Sequence, residues 1–258
     1  MLRTAGRSSD APCRPRVNAR RVRAVVLDVE GTTTPVAFVY DVLFPFAREH
    51  LRSYLRDQAD SIALRDALGR LREEHEADVR RGETPPPWID RDSSTRYLEW
   101  LMDRDRKSPA LKLIQGLVWE EGFRTGVLRG DVFGDVPPAL QRWQEARVAI
   151  AIYSSGSVLA QRLIFCTTPY GDLTGFISRF FDTAVGPKTS EDSYRRIAIE
   201  LDCRTHELLF ISDVGKELEP ARAAGCQVML SVRPGNRPES GDWLRIESFE
   251  DIVLSSEF

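Results

Sequence analysis

The chain has 258 residues, 42% of them hydrophobic, and a formal net charge of -3. That length suits one large domain or two small ones with a real core. The near-neutral charge gives no nucleic-acid or membrane surface, and no apolar run approaches the ~20 residues of a membrane helix.

Residues 1–23 carry Arg3, Arg7, Arg14, Arg16, Arg20, Arg21 and Arg23 among Ser, Pro and Ala, with only Asp10 acidic. The lack of an apolar stretch excludes a secretory signal, and the lack of an amphipathic stripe argues against a transit peptide. Residues 1–21 are therefore expected to be a disordered tail without a catalytic role. Cys13, Cys166, Cys203 and Cys226 show no CxxC spacing, which fits reduced thiols in a cytoplasmic protein.

The first strand expected is Ala24-Val25-Val26-Leu27, a short β-branched apolar run broken at Gly31. It delivers Asp28, skips one residue and delivers Glu30. Two carboxylates just past a buried strand can hold a hard cation, and one can serve as a nucleophile. A solvated acidic turn would explain the same residues.

After Thr34-Pro35 the period changes to helical, over 36–56, 59–81, 93–104 and 110–123, with Thr84-Pro85-Pro86-Pro87 as a rigid break. Leu64, Leu68 and Leu71 form an apolar stripe that core packing explains. The α/β rhythm returns with a strand at Val148–Tyr153, then Ser154-Ser155-Gly156-Ser157 and a helix through Leu163. A second strand, Leu208–Ile211, ends in Ser212-Asp213 and feeds a helix from about Glu217 to Ala224. A third runs from Cys226 to Val232 and closes on Arg233-Pro234-Gly235-Asn236. Strands alternating with helices imply a parallel sheet covered on both faces. The fold expected is α/β, a Rossmann-like parallel-sheet core of residues 22–35 and 136–258 with an all-helical cap inserted over 36–135.

Polar clusters of complementary chemistry stand at these strand ends. Asp28 and Glu30 are the first. Ser154 and Ser155 offer hydroxyls and free N–H groups to an anion at a helix start, although an ordinary serine N-cap would look the same. Lys188 follows the Gly186-Pro187 turn and is one of four lysines, with Lys107, Lys112 and Lys216, among 36 basic residues. A loop lysine on the surface is the plain alternative. Asp213 and Glu217 lie one helical turn apart, which a favourable acidic helix start also explains. His75-Glu76 and His206-Glu207 lack the second histidine of a zincin site.

Taken together the clusters resemble the haloacid dehalogenase superfamily of aspartate-nucleophile phosphatases. Glu30 in place of the usual second aspartate narrows the resemblance. So do Asp28-Val29-Glu30-Gly31-Thr32-Thr33, Leu43-Phe44-Pro45, Tyr153-Ser154-Ser155-Gly156-Ser157, Gly186-Pro187-Lys188 with Ser193-Tyr194, Ser212-Asp213-Val214 and Val232-Arg233-Pro234-Gly235-Asn236. With Leu111-Lys112-Leu113-Ile114-Gln115-Gly116 and Trp119 in the cap, these are similar to the enolase-phosphatases of methionine salvage, over about residues 22–237.

The resemblance implies a substrate, 2,3-diketo-5-methylthiopentyl-1-phosphate, that is enolised and then dephosphorylated to an acireductone. It implies Asp28 as nucleophile, Glu30 as general acid and base, and Lys188, Ser154 and Ser155 as phosphate-binding groups. Mg²⁺ is implied between Asp28, the backbone carbonyl of Glu30, and Asp213. Glu217 is expected to orient a metal water or Lys188. The enzyme is expected to be a cytoplasmic monomer whose partner is this small phosphate ester, without nucleic acid or membrane. A Mg²⁺-dependent phosphatase acting on another ester, or a non-catalytic phosphometabolite-binding protein, are the competing readings.

Overall fold

The computed structural model describes residues 17–90 and 92–255. Its centre is a six-stranded, all-parallel sheet. The strands are β2 (Ala24–Leu27), β3 (Ala149–Tyr153), β4 (Arg179–Phe181), β5 (Leu208–Ser212), β6 (Gln227–Ser231) and β7 (Arg245–Ile246), in the order β4-β3-β2-β5-β6-β7. Beside it, β1 (Val17–Arg20) pairs in parallel with β8 (Ile252–Ser255). Of the expected tail, residues 1–16 lie outside the described residues. Within the remainder, Val17–Arg20 departs from the expectation: it is a strand whose main chain is paired along its length by the C-terminal segment.

The central strands are apolar on both faces because both are covered. Side chains alternate, so Val25, Leu27, Ile150, Ile152, Leu209 and Ile211 enter one core layer. Val26, Ala151, Tyr153, Leu208 and Phe210 enter the other. Helices α5 (Val136–Glu145) and α6 (Val158–Cys166) cover the first face, through residues such as Leu140, Trp143, Ile164 and Phe165. Helices α7 (Glu191–Glu200) and α8 (Gly215–Ala223) cover the second, through Tyr194, Ile197, Leu218 and Ala221.

Between β2 and β3 the chain is helical, as its period predicts. A π-helical turn over Phe38–Leu43 runs into α1 (Phe44–Asp57), followed by α2 (Ile62–Arg80), α3 (Ser93–Asp103) and α4 (Pro109–Arg124). Ser61 caps α2 and Ser108 caps α4, each accepting a main-chain N–H. These helices bury an apolar cluster of their own, including Leu51, Leu64, Leu71, Tyr97, Leu101 and Ile114. Their base joins the sheet layer through Phe38, Leu43 and Phe123. No helix among the described residues is long and apolar enough to cross a membrane.

The strand order changes direction at β2, which has β3 on one side and β5 on the other. In an open parallel sheet this is where a crevice opens beyond the carboxyl ends. The register puts Leu27 beside Ile152 and beside Ile211. The residues that follow these three strands therefore emerge side by side.

Candidate active site

Asp28 leaves β2 at that switch point, and its own N–H donates to Ile211 across the strand at 3.0 Å. The chain then folds back on one carbonyl: the amides of Thr32, Thr33 and Thr34 all donate to the Val29 oxygen. This reversal needs the left-handed φ of +67° at Gly31. A methyl group there would also collide with the Asp213 carboxylate and with Asn236. Glycine thus lets the Glu30–Gly31 main chain lie against Asp213. Asn236, from the loop after β6, fixes that main chain by donating to the Gly31 carbonyl at 2.8 Å.

Asp28 is 5% exposed and both its carboxylate oxygens are engaged. Oδ1 lies 2.6 Å from Lys188 Nζ and accepts from the Val29 amide at 2.7 Å. Oδ2 is 3.0 Å from the Ser212 hydroxyl. Lys188 is itself bridged to Glu217, Nζ to Oε2 at 2.7 Å. The Ser212 hydroxyl has one proton for two acceptors, since Glu217 Oε2 is also 3.0 Å away.

Lys188 is placed by its own loop. Gly186, at φ +136°, packs tightly on Ser193, whose hydroxyl donates to the Pro187 carbonyl at 2.8 Å. The buried Tyr194 hydroxyl sits 2.7 Å from the Lys188 carbonyl and 2.9 Å from that of Glu217, which ties α7, the lysine loop and α8 together.

Four carboxylates share this crevice with one buried ammonium, and their proton affinities record the imbalance. Burial, then the charges of Asp28, Glu217 and Glu30, push Asp213 up to about 7. Burial and Asp28 raise Glu217 as well. Burial and Asp28 raise Glu30, against the opposing pull of Lys188. Burial alone would depress Lys188, but Asp28 and Glu217 outweigh it and hold the ammonium above the ordinary lysine range.

On the other side of β2, Ser154 and Ser155 follow β3. The helix-capping role belongs to Ser157, whose Oγ accepts from Ala160 at 3.2 Å. Ser154 and Ser155 stand ahead of the cap, on the edge that carries Asp28. Ser154 Oγ accepts the Gly156 N–H at 3.1 Å. Gln161 braces the loop from beneath, donating to the Gly156 and Phe181 carbonyls at 2.9 Å each.

All seven residues singled out in the sequence thus stand at one sheet edge. Asp28, Lys188 and Glu217 are in direct contact. Glu30 and Asp213 are joined to them by charge, and Ser154 and Ser155 by strand register. The sequence reading did not assign Tyr194, Asn236 or Gln161, whose bonds go to main chain and leave no periodic signal.

Among the described residues no three His, Cys, Asp or Glu side chains converge as a ready-made metal cage. The oxygens here that could hold a cation are the carboxylates of Asp28 and Asp213 and the main-chain carbonyl of Glu30. An all-oxygen set carrying surplus negative charge suits Mg²⁺, which keeps several of its waters. The Gly31 contact, which presses this main chain against Asp213, fits the same assignment.

A parallel sheet with an aspartate at its switch strand, a serine loop, a lysine and a second acid defines a class of hydrolase. Residues 22–225 match the haloacid dehalogenase-like hydrolase family. The yeast UTR4 protein (Saccharomyces cerevisiae) has the same fold, with a TM-score of 0.72 and 29% identity, covering 89% of this chain and 99% of that one. Within the class, the chain is 45% identical over 234 residues to enolase-phosphatase E1 of Synechococcus elongatus, covering 90% of this chain and 98% of the relative. It is 42% identical over 231 residues to enolase-phosphatase E1 of Cronobacter sakazakii, covering 90% and 96%. The chain belongs to the enolase-phosphatases, a family of phosphatase enzymes among the haloacid dehalogenase-like hydrolases.

Proposed function

We propose that this chain is a Mg²⁺-dependent enolase-phosphatase that converts 2,3-diketo-5-methylthiopentyl-1-phosphate, through its enol, to the acireductone and phosphate. The observation that carries the proposal is Asp28 held between Lys188 and Ser212, with Glu30, whose carboxyl burial and Asp28 push up, two residues on. The family relation supports the substrate.

In this reading an Asp28 carboxylate oxygen attacks phosphorus in line and the ester P–O bond breaks. The raised affinity of Glu30 for its proton suits it to deliver that proton to the departing oxygen. The resulting aspartyl-phosphate is hydrolysed by water, which Glu30, now a base, deprotonates; Asp28 is regenerated. In the preceding enolisation Glu30 would serve as the base on the carbon acid. Lys188, the Ser154 hydroxyl and the Ser155 N–H hold the phosphoryl oxygens. Asp28, Asp213 and the Glu30 carbonyl would hold Mg²⁺, which when bound supplies a Lewis acid for phosphoryl and carbonyl oxygens. Glu217 keeps Lys188 aimed at Asp28.

We assign residues 36–135 as a cap that closes over the substrate and 22–35 with 136–258 as the catalytic core. The enzyme is taken to act as a monomer in the cytoplasm, a setting that suits the free thiols of Cys166, Cys203 and Cys226. The test is phosphate release from the diketo phosphate in Mg²⁺ while absorbance follows the enol and the acireductone. An enol signal that precedes phosphate is the expected result. Cleavage of generic phosphate esters without this one would overturn the substrate.

A further inference from the structure

Lys112 is a cap residue that no part of this chemistry uses. It is exposed on α4, yet its Nζ donates across to the core, to the Ser155 carbonyl, at 3.1 Å. One turn on, Gly116 lies close to the same loop: a methyl there would sit 3.6 Å from Ser157 Oγ, in ordinary contact. Through Lys112 and Gly116, this face of α4 rests against the serine loop that follows β3.

What Lys112 holds is one half of a single amide. The Ser155 carbonyl and the Gly156 N–H belong to the same planar, trans peptide group and point in opposite directions. That N–H donates to Ser154 Oγ at 3.1 Å. Three groups therefore stand in line: the Lys112 ammonium, the 155–156 peptide and the Ser154 hydroxyl. A cation on the carbonyl end polarises the amide and strengthens its N–H as a donor. With that N–H on one lone pair, Ser154 has its only proton left for an acceptor in front of the loop.

We propose that Lys112 is a positioning residue for phosphoryl binding, acting through the 155–156 peptide on the Ser154 hydroxyl. The idea rests on the reading of Ser154 as a phosphoryl donor. It makes cap docking and the setting of that donor one event, because the cation comes from the cap and the hydroxyl from the core. The contact also gives the rarity of lysine a second meaning: two of the four lysines meet this site, Lys188 from the core and Lys112 from the cap.

A double-mutant cycle separates this relay from simple cap docking. Phosphate release from the diketo phosphate is measured for wild type, Lys112→Met, Ser154→Ala and the double variant. Lys112→Met should cost about five- to tenfold in kcat/KM, the scale of one hydrogen bond. In the Ser154→Ala background the same change should cost less than about twofold, and Lys112→Arg should recover most of the loss. Equal losses in both backgrounds would overturn the relay and leave Lys112 a docking contact, and an unchanged Lys112→Met would overturn both. Wild-type turnover serves as the control on the functional reading. If it is absent, calorimetric affinity for inorganic phosphate in the same four proteins still reads the relay. The same coupling is expected there, and additive losses, or no loss in Lys112→Met, would refute it.

Discussion

The protein buries carboxylates in two places and treats them in opposite ways. In the helical region, Asp78 on α2 is 2% exposed and receives the Tyr97 hydroxyl at 2.7 Å, the Arg106 guanidinium at 2.9 Å and the Arg81 guanidinium. Burial alone would raise its pKa, but Tyr97, Arg81 and Arg106 outweigh it and hold the carboxyl below the usual range. At the sheet edge, Asp28, Glu30, Asp213 and Glu217 share one buried ammonium, and burial with the neighbouring charges raises Glu30, Asp213 and Glu217. The first arrangement is complete and serves packing. The second leaves negative charge unbalanced, which costs stability and suits the cation and phosphoryl group proposed to bind there.

Removing the buried ammonium of the crowded site should break this contrast most visibly. Lys188→Met leaves Asp28 and Glu217 facing each other and removes a phosphoryl clamp. Turnover should fall by ~10²–10³, measured as phosphate release from protein shown by circular dichroism to be folded. A loss under about threefold would mean that Lys188 is structural.

A smaller effect sharpens the assignment of Asp213. With its pKa at about 7, the carboxyl carries a proton below neutrality, and a cation must displace it. Mg²⁺ affinity, read by calorimetry, should be about tenfold weaker at pH 6 than at pH 8, and Asp213→Asn should lose most of the binding. An affinity independent of pH would place the cation elsewhere.

The smallest effects are on stability, and they have opposite signs in the two regions. Tyr97→Phe deprives the buried Asp78 of a donor and should lower stability by about 1–2 kcal/mol, with kcat unchanged. Asp213→Asn removes a carboxylate that the fold disfavours. A folded pKa raised above the ordinary value penalises the charged form, and the penalty is full above pH 7 and fades as the carboxyl protonates below it. The variant should therefore be more stable than wild type by about 1–2 kcal/mol at pH 8 without metal, and the gain should shrink at pH 5. Thermal unfolding at the two pH values measures both.

The contrast also shows what the sequence makes legible. Asp28, Asp213 and the Ser154–Ser155 pair can be read because each follows an apolar run short enough to be a buried strand, and strand ends are where a parallel sheet gathers its chemistry. The helical insertion can be read from its period. Asp78 cannot, since its partners Tyr97 and Arg106 lie 19 and 28 residues away and no periodicity links them. β4 is only Arg179-Phe180-Phe181, too short to show alternation. Val17–Arg20 lies in arginine-rich sequence, and the strand that pairs it comes from the far end of the chain. The Lys112 contact spans 43 residues and ends on a main-chain oxygen, an acceptor that every residue possesses.

In the proposed reaction the crowded site makes Asp28 a nucleophile. The direct test is phosphate release from the diketo phosphate by wild type and Asp28→Asn, each in Mg²⁺ and in EDTA. The expected result is release by wild type in Mg²⁺ alone, with the variant lower by at least ~10⁴ though it folds. Release by Asp28→Asn within tenfold of wild type would contradict it.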